Sequence, residues 1–440
     1  MTIRSAHTER WIAIAWLAGF VLCPFSLALM ADEAGKNGMG LIPWLGVVLW
    51  IYAITGASYR DLAAQSSTGP AMEVDRLGVV FGRLAGAAMP LCGRIVATLA
   101  GATGLLVTAG FVFNEVFVYW FPNFAFAYLL LGAILAVHLS GKWWIQGFQL
   151  VFSGIALLGL VVLVVVGLWV GESGSSPTIP LPKSGHGIPL ALLWVFVGVE
   201  WLFLSAGRGP EASGPHFRYL VEGLVGFGLL IGLWTWISLG AVAADRLVGS
   251  TIGHTLVAKS IWGQSGRVTI GVVAISGVCA AVNGLFMSVS EICRLLIAKG
   301  QPNASPGSDA LWRALPPLAL TGAIGTLMAV GAAGTAAVDV ALRSGLTLVL
   351  ILYGAVNVAA LRRSRRRIVA KPPMLLLLSS PWARGGAALT LAIAAGFLVA
   401  GDSEKMGMIG FMSSAVIAVF FLVFCGSRAG RGGLGPQRDH

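Results

Sequence analysis

The sequence predicts an all-α integral membrane protein with about twelve transmembrane helices and no separate soluble domain. Hydrophobic residues make up 57% of the 440 residues and charged residues only 11%, whereas soluble domains carry about 25% charged residues. Apolar runs close to the roughly 20 residues that cross a bilayer recur along the whole chain. These runs lack the alternation of a β-strand, so each of them predicts a helix.

The predicted helices follow one another from residue 11 to residue 425, separated by short polar gaps. The first run follows a polar tail of ten residues and is about 20 residues long, so it predicts a retained helix rather than a cleaved signal peptide. The twelve runs lie near residues 11–30, 41–59, 85–113, 124–140, 146–170, 188–206, 219–242, 268–290, 314–333, 342–361, 385–401 and 406–425. We call them segments 1 to 12.

The distribution of basic residues predicts the orientation of the chain, because cytoplasmic loops carry an excess of lysine and arginine. With the N-terminus in the cytoplasm, the inner loops hold most of the 29 basic residues, including Arg94, Arg384 and the cluster at residues 362–371. The outer side then holds only Lys36, Lys183, Arg246, Lys259, Arg267, Arg343 and Lys405. We therefore predict a multi-pass protein of the cell membrane with both termini cytoplasmic.

Several functional classes find no support in the composition. The net charge of +11 is spread over short loops, so it does not predict a nucleic-acid partner. The cysteines form no CxxC pair and the histidines no i, i+4 pair, so neither a disulfide framework nor a metal site follows. No P-loop, cofactor motif or nucleophile–base pair is present in the spans, and we predict no enzyme and no cofactor.

Two of the segments contain residues that interrupt helices. Segment 1 has Gly19 followed by Pro24, and segment 6 has Gly198 followed by Gly207. The two segments open two halves of five helices each, and because five is odd the second half must be inverted relative to the first. Broken helices at matching positions of inverted halves are typical of a secondary transporter's binding site, although glycine and proline are common in membrane helices generally.

This organisation predicts two repeats followed by a pair of extra helices. The predicted divisions are a cytoplasmic tail at 1–10, a first inverted repeat at 11–170, a second at 188–361, helices 11 and 12 at 385–425, and a cytoplasmic tail at 426–440.

Segment 6 also carries a carboxylate, Glu200, at the depth of the membrane. Such residues are costly in hydrocarbon and usually mark an ion, proton or substrate path. Two roles are open: proton coupling or gating of the inner path, and a structural hydrogen bond to the unwound backbone. Asp339 and Arg343 in segment 10 are four residues apart, which predicts a helical ion pair.

Several motifs in order along the chain resemble the amino acid–polyamine–organocation (APC) superfamily. Residues 194–200 (Trp-Val-Phe-Val-Gly-Val-Glu) are similar to its Phe-Ala-Phe-x-Gly-Phe-Glu pattern and especially to the form found in arginine/agmatine-type antiporters. Residues 58–63 resemble Ser-Tyr-x-Glu-Leu-Ala, residues 81–86 resemble Phe-Gly-x-x-x-Gly, and residues 290–302 resemble the stretch after family segment 8. The resemblance covers about residues 10 to 365 and implies the LeuT-like fold of a 5+5 inverted repeat.

The resemblance also implies a substrate site between the two breaks. Ala18 and Gly19 would present backbone donors to a carboxylate, and the carbonyl groups of the segment-6 break would receive an amine. Trp194 and Phe196 would cover the substrate, and Phe286 on segment 8 is a gate candidate. The predicted substrate-binding residues are Ala18, Gly19, Phe20, Trp194, Val195, Phe196, Val197, Gly198 and Phe286.

The chain departs from the family in segment 1, where Gly-Ser-Gly-Ile-Phe-x-x-Pro becomes Leu-Ala-Gly-Phe-Val-Leu-Cys-Pro at residues 17–24. Only the last glycine and the proline remain, so the backbone approaches a carboxylate less freely. Some proton-coupled members carry a lysine in segment 5, and the corresponding position in this chain is Ala156. Three modes of transport therefore stay open: substrate exchange, facilitated flux, and coupling to a proton that another residue carries.

An apolar pocket with Glu200 as its one acidic residue predicts a neutral, hydrophobic amino acid such as a branched-chain residue or methionine. The short chain is similar to methionine and branched-chain exporters of the superfamily, but import and export stay open. A cationic amino acid or polyamine exchanger is the alternative on the same fold. A binding or receptor protein that does not transport is an alternative of another class. The predicted partners are the amino acid and membrane lipids, with a proton as an optional coupling ion. The predicted oligomeric state is a monomer or a homodimer.

Overall fold

A computed structural model describes residues 6–64, 69–171, 188–205, 213–300, 308–364 and 373–429. These parts of the chain are almost entirely helical and contain no β-strand. The helices are α1 Ala6–Val21, α2 Pro24–Asn37, α3 Leu41–Ala63, α4 Gly69–Phe81, α5 Arg83–Val116, α6 Asn123–Ser140, α7 Lys142–Gly171, α8 Leu192–Val195, α9 Trp201–Ser205, α10 Ser213–Ala241, α11 Ala244–Leu247, α12 Gly253–Gly300, α13 Ser308–Ala329, α14 Ala336–Ser364, α15 Pro373–Leu378, α16 Pro381–Ala400 and α17 Lys405–Ala429.

Eight helices in the described part of the chain are long and apolar enough to cross a membrane. All twelve predicted segments overlap helical backbone. Segments 1, 6, 9 and 12 are not counted as separate spans among the eight. Segments 1 and 6 are each divided into shorter helices, and the second part of segment 1 is counted together with α3 as Pro24–Ala63. The chain is therefore an all-α, multi-span membrane protein, while the count of twelve spans and the 5+5 repeat stay predictions.

Both predicted helix breaks are present. In segment 1, α1 ends at Val21 and α2 begins at Pro24, which occupies the first helical position, where its missing N–H costs no hydrogen bond. In segment 6, the residues between α8 and α9 form turns rather than a helix. Gly198 lies in these turns with a φ of +103°, a conformation that L side chains rarely adopt. Gly207 lies outside the described residues.

The second break lies in the interior of the bundle. The long element α12, which is kinked at Trp262 and Gly263, packs against α7 and α5, and α14 packs against α5 and α16. Helix α1 contacts α7, α10, α12 and α9. Residues Leu192 to Leu204 are buried along their whole length. The two breaks are thus enclosed by α3, α10, α12 and α14 rather than exposed to lipid.

The structure places Arg384 in a helix rather than in a loop and confirms one predicted ion pair. Arg384 was expected in a cytoplasmic loop, but it lies in the first turn of α16, where its side chain is buried and donates to Asp61 at 2.5 Å and to the Ala360 carbonyl at 3.2 Å. The guanidinium of Arg343 pairs with Asp339 at 2.7 Å, as the spacing predicted.

Candidate functional site

The segment-1 break lies slightly beyond the residues predicted to line it. Ala18, Gly19 and Phe20 are in the last turn of α1, and the non-helical residues are Leu22 and Cys23. The Ser26 hydroxyl donates to the Phe20 carbonyl at 2.7 Å, which satisfies one of the carbonyl groups freed where α1 ends.

The N–H groups at the start of α2 are better placed than Gly19 to receive an anion. Cys23 occupies the N-cap of α2 and makes no side-chain capping hydrogen bond. Pro24 contributes no N–H. The first-turn N–H groups without a side-chain capping bond are therefore those of Phe25 and Ser26. Helix N-termini favour negative charge because of these unpaired donors and the helix dipole. Gly19 instead lies against Gln149, whose Nε2 would be 2.7 Å from a Cβ built on the glycine.

Two tyrosines hold the segment-6 break from neighbouring helices. Tyr52 on α3 donates a short hydrogen bond to the Leu193 carbonyl. The Gly198 N–H donates to the hydroxyl of Tyr353 on α14 at 3.0 Å. No N–H or hydroxyl group in the described part of the chain donates to the carbonyl oxygens of Phe196 or Val197. These two carbonyl groups are therefore free to accept a hydrogen bond from a ligand.

The predicted aromatic residues are all enclosed. Trp194, Phe196 and Phe286 are buried, and the Trp194 Nε1 has no hydrogen-bond partner among the described residues. The ring of Phe196 lies 5.9 Å from that of Tyr52, whereas the ring of Phe286 lies 5.6 Å from the imidazole of His138. Trp194 and Phe196 thus border the segment-6 break, and Phe286 contacts a different polar cluster on α6 and α12.

Glu200 belongs to a buried charge cluster that sequence reasoning did not identify. The Arg94 Nη1 and Nη2 groups contact the Glu73 carboxylate at 2.5 and 2.7 Å. The same guanidinium lies 3.3 Å from Oε1 of Glu200 through Nη2 and 3.4 Å through Nε. All three side chains are 2% exposed or less. The cluster holds two carboxylates and one guanidinium, in which the Glu73 pairing is the bidentate and stronger one.

Two hydroxyl groups complete this cluster and connect it to the break. Tyr59 donates to Glu73 Oε1 at 2.7 Å, and Tyr353 donates a short hydrogen bond to Glu200 Oε2. Since Tyr353 also accepts from Gly198, one phenol joins the charge cluster to the unwound backbone. A change in the charge or position of Glu200 would therefore alter the hydrogen bond between Tyr353 and the Gly198 N–H in the break.

The structure also corrects the assignment of Arg94 to a loop. We had counted Arg94 with the cytoplasmic loops, but it lies within α5 and its side chain is buried. Glu73 lies in α4, which follows segment 2 and was not predicted to enter the core. The available signal was an arginine inside the apolar run at residues 85–113, since a charge in such a run needs a partner of opposite sign.

A second polar network adjoins the segment-1 break. Asn283 on α12 donates to the Gln149 Oε1 at 2.8 Å and contacts His138 Nε2 at 3.1 Å. Gln149 and Ser153 on α7 both donate to the carbonyl of Ala15, at 3.0 and 2.9 Å. This network fixes α1 to α7 just before the segment-1 break.

The comparisons with known proteins give limited support for a particular class. No protein-family model matches the chain. Over 150 residues the chain is 27% identical to a protein of Bacillus subtilis (strain 168) described as "Putative arginine/ornithine antiporter". The match covers 31% of this chain and 31% of that relative. The fold and the site therefore define a helical membrane protein with two enclosed helix breaks, which shares a limited stretch of similarity with that relative.

Proposed function

We propose that this protein is a secondary active transporter that moves an amino acid across the cell membrane by alternating access. In this proposal residues 11–170 and 188–361 are two inverted repeats, and residues 385–425 are two accessory helices. The substrate binds between the breaks of segments 1 and 6. The observation that supports the proposal is the pair of helix breaks enclosed in the bundle, where α1 contacts α9 and α2 contacts α8. Irregular backbone at membrane depth occurs where it is buried or lines a cavity.

The uncapped and free backbone groups match the two charged ends of an amino acid. The N–H groups of the first turn of α2 suit the carboxylate. The free carbonyl groups of Phe196 and Val197 suit the ammonium group. Trp194, Phe196 and Phe20 supply apolar surface for the side chain. We propose that Glu200, held by Arg94 and Tyr353, gates the inner path or couples transport to a proton.

The charge cluster favours a neutral, hydrophobic substrate over a cationic one. A cationic side chain needs an unpaired carboxylate, but Glu73 is already paired with Arg94 and Tyr59, and Glu200 with Arg94 and Tyr353. A guanidinium or ammonium group would have to displace one of these partners. We therefore propose a branched-chain amino acid or methionine as the substrate.

A cationic amino acid is the second candidate, and two observations favour it. The cluster contains one more carboxylate than guanidinium group, so it carries a formal charge of −1 when both carboxylates are ionised. The relative from Bacillus subtilis is described as an arginine/ornithine antiporter. In this alternative, Glu200 would exchange Arg94 for the substrate's cationic group.

Flux in proteoliposomes tests the proposal and separates the two candidates. Vesicles loaded with mixed amino acids are assayed for uptake of labelled leucine, methionine and arginine, with and without an inward proton gradient. We expect leucine or methionine exchange above that of protein-free vesicles. Arginine exchange that is lost in Glu200→Gln would establish the cationic candidate. A folded protein that moves none of the three labels would contradict amino acid transport and favour a binding protein without transport.

A further inference from the structure

We infer that Trp201, the residue after Glu200, determines the size of the substrate that fits between the two breaks. This inference rests on the proposed transport function. Trp201 is the first residue of α9 and is 1% exposed, although it follows the break directly. Its indole ring is therefore directed into the bundle and occupies volume there.

Three glycines from three different elements surround this one ring. An ideal Cβ on Gly284 of α12 would lie 2.1 Å from Cζ3 of the indole, and one on Gly198 would lie 3.1 Å from Cδ2 and Cε2. A Cβ on Gly19 of α1 would lie 3.2 Å from the same Cζ3 atom. At Gly284 the overlap is severe, so the indole has this position only because that residue has no side chain. The ring fills a space that the backbones of α1, α12 and the break leave open.

The predicted substrate residues converge on the same ring. Gly19 and Gly198 belong to that set, and Phe20 contacts the indole edge-to-face with ring centroids 6.4 Å apart. The side chain of an amino acid bound between the breaks would therefore meet the indole of Trp201. In an enclosed site, a ring of this size excludes side chains that need the same volume, because packed interiors lack space for both.

Gly284 provides the complementary constraint. A methyl group there cannot coexist with the indole at 2.1 Å, so Gly284→Ala would move the ring towards the breaks. Replacing the indole of Trp201 with a smaller side chain enlarges the space between the breaks, whereas displacing the indole by Gly284→Ala reduces that space. The two substitutions should thus change substrate size preference in opposite directions, which a general loss of stability would not do.

The experiment compares the wild type with Trp201→Ala, Trp201→Phe and Gly284→Ala in proteoliposomes. Labelled alanine, leucine, methionine, phenylalanine and tryptophan are assayed in each. We expect Trp201→Ala to raise tryptophan flux relative to leucine flux by about tenfold, in line with the 10- to 200-fold range for misfit in apolar pockets. Trp201→Phe should lie between it and the wild type, and Gly284→Ala should favour alanine over leucine.

Trp234→Ala is the matched control, because Trp234 on α10 is also 1% exposed and lies outside both breaks. It should leave the ratio of tryptophan to leucine flux unchanged. If Trp201→Ala does not give a folded protein, Trp201→Leu removes the ring with less loss of volume and carries the same expectation. An unchanged ratio of tryptophan to leucine flux in a folded, active Trp201 variant would overturn this inference but not the transport proposal. A wild-type protein that moves none of the amino acids would overturn the transport proposal and this inference with it.

Discussion

At the scale of single residues, Arg94 is the position where one substitution should have the largest effect on stability. Its guanidinium contacts two buried carboxylates, and Arg94→Met would remove the cation that Glu73 and Glu200 share. Breaking a buried ion pair from one side costs about 3–5 kcal/mol, because the remaining charge stays desolvated. We expect a large fall in the midpoint of thermal unfolding, measured in detergent or nanodiscs.

Arg218→Met is the matched control for that prediction. Arg218 also pairs with a glutamate, Glu222, at 2.8 Å, but through Nε alone and with a side chain that is 79% exposed. Exposed pairs contribute about 0–1 kcal/mol, so the midpoint should hardly change. A double-mutant cycle with Glu73→Gln then isolates the pair: effects of Glu73→Gln and Arg94→Met that add within about 0.5 kcal/mol would contradict direct coupling of the two side chains.

At the scale of elements, the conformation of the segment-6 break depends on Gly198. Its φ of +103° is strained for any residue with a Cβ, and a Cβ there would also lie 3.1 Å from the Trp201 ring. Residues forced into such conformations cost about 1–3 kcal/mol. We therefore expect Gly198→Ala to lower stability by that amount and to reduce flux, measured by thermal unfolding and vesicle uptake on the same preparation.

Gly226→Ala distinguishes this effect from the general consequence of adding a methyl group. Gly226 lies within α10, and a Cβ built on it meets nothing within 4 Å. Since alanine favours a helix over glycine by about 1 kcal/mol, stability should stay the same or rise. Equal losses in the two variants would mean that backbone strain at Gly198 is not the cause.

The element scale also explains what the sequence could and could not predict. Apolar run length located the helices, and Pro24 and Gly198 located the breaks, because these are local properties of the chain. The partner of a buried charge is not local: Arg94 and Glu200 are 106 residues apart in the sequence. The surroundings of Trp201 could not be predicted for the same reason, since the glycines against its ring lie on two other helices.

At the scale of the whole molecule, two ion pairs attach the C-terminal helices to the central bundle. At the start of α16, Arg384 donates to Asp61 of α3. Just beyond the end of α16, Asp402 pairs with Arg343 of α14. Both pairs fix α16 against helices that border the breaks or carry the charge cluster. We expect Arg384→Ala to destabilise the protein, measured as a lower unfolding midpoint than that of wild type, because it leaves the partly buried Asp61 without this partner.

The proposed inversion of the two halves makes a prediction that two engineered cysteines can test. Ser140 is the last residue of α6 in segment 4, and Val330 directly follows α13 of segment 9, so they are at corresponding positions of the two halves. Both are exposed, and Val330 is 71% exposed. If the repeats are inverted and the N-terminus is cytoplasmic, Ser140→Cys faces the cytoplasm and Val330→Cys faces the outside.

We expect a membrane-impermeant maleimide applied to intact cells to label Val330→Cys and to spare Ser140→Cys until the membrane is permeabilised. The background is a variant without native cysteines, and of these Cys23, Cys92 and Cys279 are buried. Tyr119→Cys, 84% exposed between segments 3 and 4, is the control for the outer side. Labelling of Ser140 and Val330 from the same side would contradict the inversion, because an odd number of spans per half requires opposite sides. The reversed pattern, with Ser140 labelled first, would keep the inversion and reverse the predicted orientation of the termini.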